Sequence, residues 1–161
     1  MRHILTSVFL VVLLFPALAF GEEVTLDDLV ERDGIHYKKF STVPFTGKVT
    51  GKTQGSFRNG KEEGLWVGYH DNGQLWYKGT YKDGKSEGPW VSYHDNGQLS
   101  LKGIYKDGER DGPWVRYHDN GQLWQKGEFK DGKMDGPWVE YYKNGQIYSE
   151  KTYKDGVKVS D

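Results

Sequence analysis

A chain of 161 residues has room for one ordinary domain or one short array of repeats, but not for two independent cores. Its 22 glycines and 15% aromatic content, with Leu, Ile and Val thin after the first twenty positions, exclude a thick aliphatic core and favour β-structure held by tight turns and flat ring contacts. A net charge of −1 with interspersed signs gives no field able to gather phosphate, so nucleic acid is not expected as a partner.

The chain opens on Arg2 and His3, an apolar run from Ile4 to Phe15, then Pro16 and Ala17-Leu18-Ala19. This is the charged, apolar and small-residue order of a secretory signal peptide over residues 1–21. Cleavage is expected near residues 19–21, and the run is too short for an ordinary membrane span. The expected location is therefore periplasmic or secreted. With no cysteine in the chain, a lipoprotein anchor, disulfides and thiolate-bound metal are all excluded, so packing and hydrogen bonds must hold the fold.

Residues 22–45 read as an N-terminal cap. Thr25-Leu26-Asp27-Asp28 has the pattern of one capped helical turn. Leu29–Arg32 and Ile35–Lys39 flank Asp33-Gly34 as a short hairpin, which is expected to cover the first edge of the following sheet. Residues 46–63 form a degenerate repeat, since Gly55, Phe57, Asn59-Gly60 and Lys61 match Gly79, Tyr81, Asp83-Gly84 and Lys85 one period later.

From Gly64 to Asp161 the sequence repeats every 24 residues, four times. Trp66, Trp90, Trp114 and Trp138 fall in register, as do Tyr69, Tyr93, Tyr117 and Tyr141. The dipeptides Asn72-Gly73 and Asp83-Gly84 also recur with their equivalents, and both types suit the positive φ angles of type I′ turns between strands. Each repeat is thus strand, turn, strand, turn. In the second repeat Leu99, Leu101, Gly103 and Tyr105 share the expected inner face, with Ser100, Lys102 and Ile104 on the other. For Trp90 to His94 the alternation does not say which face is buried. Gly79, Gly103 and Gly127 recur at one strand phase, which predicts that a repeat tryptophan lies across each missing side chain. The fourth repeat has Lys151 there, as expected of a unit with no successor.

Gly-Pro-Trp-Val-x-Tyr, then Asn-Gly-Gln-Leu, then Lys-Gly-x-Tyr-Lys-Asp-Gly-Lys resembles the bacterial variant of the MORN repeat over roughly residues 35–161, and Phe45-Thr46-Gly47-Lys48-Val49-Thr50-Gly51 resembles the lead-in segment of such proteins. The resemblance implies an all-β fold, an elongated twisted antiparallel sheet of stacked hairpins. It also implies lipid-associated, dimerising or scaffolding roles. Many such chains carry the label of the YwqK-type antitoxin family, which implies a protein-neutralising partner.

No catalytic or cofactor motif accompanies the repeats. His70, His94 and His118 recur in Tyr-His-Asp-Asn-Gly units, but strand spacing sets equivalent histidines roughly 10 Å apart, too far to share one zinc. The Asp-Gly pairs lack the alternating acids of a calcium loop and are explained by turn formation. Glu87, Asp111 and Asp135 precede repeat-starting glycines and read as turn positions rather than a carboxylate pair for glycoside hydrolysis. The varying positions carry more information. Alternation puts Trp76 and Trp124 on the outer face at the site held by Ser100 and Tyr148, next to Lys78, Lys102, Lys126 and Glu150. Trp76, Tyr77, Lys78, Lys102, Trp124, Lys126 and Tyr148 form the candidate ligand or partner surface.

The expected function is that of a non-enzymatic exported protein-binding or scaffolding module whose partner is an envelope or secreted protein, or a second copy of the chain. A binder of envelope glycan or lipid headgroups is the alternative class.

Overall fold

The computed structural model describes residues 22–160, so the expected signal peptide lies outside the described residues. Those residues form a sheet of thirteen strands and a separate two-stranded hairpin. At about 4.8 Å per strand the sheet extends on the order of 50 Å along its stacking direction.

The cap begins with β1 (Glu22–Val24) and a 3-10 turn over Leu26–Asp28. The Asp28 carboxylate accepts from the Thr25 N–H at 2.9 Å and the Thr25 hydroxyl at 2.7 Å, and these bonds hold its pKa below the usual carboxylate value. Strands β2 (Leu29–Arg32) and β3 (Ile35–Lys38) pair across Asp33-Gly34 as the hairpin foreseen. The hairpin does not cover the sheet edge, however. That place is taken by β1, which pairs in parallel with β4 (Gly47–Val49) and makes the sheet mixed at this one junction. The hairpin instead lies on the inner face, where Leu29 joins Val24, Phe45, Val49, Phe57 and Trp66 in one buried cluster. Apolar Leu29 gains more by joining that cluster than by facing water at an edge.

The array follows as antiparallel strands in chain order: β5 (Thr53–Arg58), β6 (Lys61–Tyr69), β7 (Leu75–Lys82), β8 (Lys85–Tyr93), β9 (Leu99–Lys106), the short β10 (Glu109–Arg110), β11 (Gly112–Tyr117), β12 (Leu123–Lys130), β13 (Lys133–Tyr141), β14 (Ile147–Lys154) and β15 (Val157–Ser160). Two kinds of connection alternate. At Asp83-Gly84 both residues have positive φ, 51° and 82°, and the equivalent Asn59, Asp107, Asp131 and Asp155 pairs do the same, as type I′ turns require. The Asn-Gly loops differ from the sequence expectation. Asn72 keeps a negative φ, and Gly73 alone is left-handed, with Gly73 N–H donating to His70 O and His70 N–H to Gln74 O. This is a three-residue loop with a bulge after an ordinary turn. Its cause is visible in the side chain: Asn72 Oδ1 accepts from Gln74 N–H at 3.0 Å while Nδ2 donates to Asp95 O of the next repeat at 2.6 Å.

A bulge between repeats places the core. Lys78 pairs with Val91 and Thr80 with Glu87, so Gly88, Pro89 and Trp90 together stand opposite Gly79. Gly88, at φ +74°, lets the strand swing out, and proline is tolerated because no ladder N–H is needed in the bulge. Trp90 then falls across Gly79, where any Cβ would stand 2.0 Å from the indole. Trp114 covers Gly103 and Trp138 covers Gly127 in the same way, and Trp66 covers Gly55 of the degenerate repeat. Between the tryptophans stand Tyr or Phe rings, edge to face, in an unbroken series from Phe45 through Phe57, Trp66, Tyr81, Trp90, Tyr105, Trp114 and Phe129 to Trp138, at centroid separations from 5.0 to 6.0 Å. This stack is the core of the large sheet, and among the described residues the hairpin that carries Leu29 covers it only at the Phe57 and Trp66 end.

Candidate functional site

Much of the polar repeat chemistry is consumed in joining one repeat to the next. Along the Asn-Gly rim, His70, His94 and His118 each donate from Nε2 to a carbonyl one repeat on, those of Tyr93, Tyr117 and Tyr141, at 2.9 Å. Asn96 and Asn120 repeat the bond of Asn72. Along the opposite rim, Glu63, Glu87, Asp111 and Asp135 accept the N–H of Asp83, Asp107, Asp131 and Asp155 at 2.9–3.4 Å. Those acids are turn caps, as their place before the repeat glycine suggested. Among the described residues no three histidine or acidic side chains gather as a metal would need. Ion pairs also sit on the rims. Lys52 meets Asp71 at 2.6 Å, Lys143 meets Asp119 at 2.7 Å and Lys154 meets Asp135 at 3.1 Å, and in each case the lysine hydrogen bond lowers the aspartate pKa.

The outer face is different. Strand pairing sets one row across nine strands: Gln54, Val67, Lys78, Val91, Lys102, Val115, Lys126, Val139 and Glu150. Lys78, Lys102 and Lys126 are exposed on every second strand, and among the described residues none of them is in an ion pair. Tyr69, Tyr93, Tyr117 and Tyr141 share the face of the valines, and Lys126 Nζ lies 5.9 Å from the Tyr141 ring centroid. On the other flank of the row, Pro89, Ile104 and Pro113 join Val91, Lys102 and Val115 in a shallow, mainly apolar groove of ≈ 330 Å³.

The candidate residues do not form one stripe. Lys78, Lys102 and Lys126 are on the outer face as expected. Trp76 and Trp124 are not aligned with them, because Gly68 pairs with Tyr77 and Tyr69 with Leu75, leaving Trp76 unpaired in a bulge. The bulge breaks the alternation and turns its ring toward the inner row, 5.2 Å from Tyr77 and 6.0 Å from His70. Trp124 likewise lies 5.9 Å from His118 and under the Arg116 guanidinium at 5.6 Å. Both remain half-exposed, at 51% and 43%. Tyr148, in the equivalent bulge, is 60% exposed and packs edge to face on Tyr142. Tyr77 stacks flat on Trp90 at 5.3 Å, and burial raises its pKa. Trp76 also walls an open depression of ≈ 670 Å³ with Lys52, Tyr69, His70, Asp71 and Asp95.

Two parts of the surface were missed in the sequence. The tyrosines of the outer face and the valines alternating with lysine were both available from strand phase. Their alignment depended on the Trp–Gly bulge, which fixes how far one hairpin is offset from the next.

These features define the class as a linear hairpin-repeat protein in which each unit contacts only its neighbours. The MORN repeat variant matches four times, at residues 62–83, 86–107, 110–131 and 134–155, more than half of the chain. The chain belongs to that family. The MORN repeat is in general a protein- or membrane-binding module and is not itself catalytic. No curated protein matches the chain.

Proposed function

We propose that the protein is a non-catalytic module, exported to the periplasm or beyond, that binds or scaffolds an envelope or secreted protein through the outer face of its sheet. The observation that carries this reading is the row of Lys78, Lys102 and Lys126. These cations have no ionic partner among the described residues, whereas the histidines, asparagines and acids of the repeats are used to join one unit to the next. Crosslinking and affinity capture from the native envelope test it. A specific protein partner, or a second copy, is expected with the native chain and lost with Lys102→Glu; a strict monomer with no envelope partner overturns the reading. Export is checked by sequencing the amino terminus of the recovered protein, which should begin near residues 20–22.

A second reading, a binder of envelope glycan or lipid headgroups, is favoured by half-exposed Trp76 and Trp124 beside polar rim groups, since flat aromatic rings stack on sugar rings and sit well at headgroups. Retention on sacculi or liposomes should then fall with Trp76→Ala plus Trp124→Ala, and a native chain that is retained on neither ends it.

A further inference from the structure

We infer that the outer-face row is a docking track for an extended polyproline-type segment of the partner protein that carries an acidic residue at every third position. This rests on the reading of the outer face as a protein-binding surface and names what it recognises. The lysines stand on alternate strands, so successive ammonium groups are spaced by two inter-strand steps, roughly 9.6 Å. A polyproline II segment returns to the same face every three residues, at about 3.1 Å each, or about 9.3 Å. A β-strand returns to one face every two residues, at about 6.7 Å, and misses that spacing. Three carboxylates of a polyproline-type segment therefore meet Lys78, Lys102 and Lys126 together.

The rest of the face fits the same occupant. Val91 and Val115 stand between the lysines, Tyr93 and Tyr117 share their face, and Pro89, Ile104 and Pro113 wall the apolar groove. The tyrosines on one flank of the row and the apolar groove on the other, which Trp90 also lines, offer ring and aliphatic contacts to such a segment, and a polyproline segment loses little entropy on binding. The row has limits. Gln54 ends it on one side and Glu150 on the other, so a carboxylate placed beyond Lys126 meets a like charge. The track accepts about seven residues, enough to span three acids at a spacing of three.

The experiment uses the full chain and two synthetic peptides of one composition: repeated Glu-Pro-Pro triplets, and the same residues with the glutamates bunched at one end. At low salt the periodic peptide is expected to bind about tenfold tighter, with the difference shrinking as salt screens the pairs. Lys102→Glu, at an exposed position and with near-ultraviolet circular dichroism confirming an intact aromatic stack, should abolish the preference. Equal binding of the two peptides, or a preference that survives Lys102→Glu, overturns the track. Polygalacturonate or phosphatidylglycerol vesicles bound more tightly than the periodic peptide, and released by the same substitution, overturn the peptide in favour of a polyanion or a membrane. An envelope protein captured by the native chain and lost with Lys102→Glu, without any peptide preference, would sink the track yet leave the outer face a binding surface; equal capture by both would sink the outer face as well. No capture and no peptide preference would remove both.

Discussion

Two parts of the inner face bury their tryptophans by different means. Around Trp66 the cap supplies Val24, Leu29 and Phe45, and the degenerate repeat adds Val49 and Phe57. Around Trp114 and Trp138 there is no cap. Phe129 packs between the indoles, Arg110 lies 3.9 Å over its ring, and Leu101, Tyr105, Met134 and Tyr153 complete the cluster. Both arrangements leave only 3–4% of each tryptophan residue exposed. Trp90, between the two clusters, is only partly buried, under Tyr77, Tyr81 and Tyr105. Burial in this protein is thus a property of adjacent repeats and does not need a covering layer. Phenylalanine neighbours achieve it more completely than tyrosines, whose hydroxyls must remain near water or a partner.

The largest expected effect tests that contrast directly. Trp114→Ala should cost about 3–5 kcal/mol, as for a buried tryptophan, and Trp90→Ala clearly less, as read from chemical denaturation. Equal losses would mean that the intermediate burial of Trp90 is of no energetic consequence.

Next comes the glycine beneath each indole. Gly127→Lys puts a Cβ 2.3 Å from the Trp138 ring and should cost about 1–3 kcal/mol or more. Lys151→Gly, at the same phase of the next repeat where no indole descends, should change the midpoint far less. A thermal melt of the two variants separates the cases, and similar losses would show that strand entropy, not the Trp–Gly contact, sets the cost.

The two turn types give a smaller contrast. Asp107 holds a φ of 52°, so Asp107→Ala should cost about 1 kcal/mol and Asp107→Gly very little. Asn96 has no such backbone demand. Asn96→Gly should lose stability through the bonds from Asn96 to Asp119 O and from Gln98 N–H to Asn96, about 1 kcal/mol in all. The ordering of the two glycine variants in denaturant is the measurement.

The smallest effect concerns the rims. Asp119 has its pKa lowered chiefly by the hydrogen bond from Lys143. Its folded value lies below the unfolded one, so its contribution is present above the ordinary carboxylate pKa and is lost as pH falls through the folded value. Acidification through that range should lower the midpoint of the native chain slightly more than that of Asp119→Asn, and high salt should erase the difference.

The strand-and-turn order of the repeats, the type I′ turns at Asp-Gly and the descent of tryptophan onto glycine were all legible in the sequence, because each depends on a few neighbouring residues or on the 24-residue period. The outer lysines were legible for the same reason. The misalignment of Trp76 and Trp124 with those lysines was not, because strand alternation holds only until a bulge interrupts it, and the bulge is set by the pairing of Tyr69 and Gly68 with β7. The parallel β1–β4 pair was equally hidden, since three residues carry no signal of which edge they will join.

Sequence alone therefore determined the unit: turn chemistry, strand phase and the requirement for glycine under an indole are local steric facts. Tertiary structure decided the assembly. Three residues of one strand facing a single glycine of its neighbour set the offset between hairpins, and that offset, added to the pairing of valine with lysine inside each hairpin, aligned Lys78, Lys102 and Lys126 with the valines between them. Such a row is a relation between strands, and no single repeat contains it.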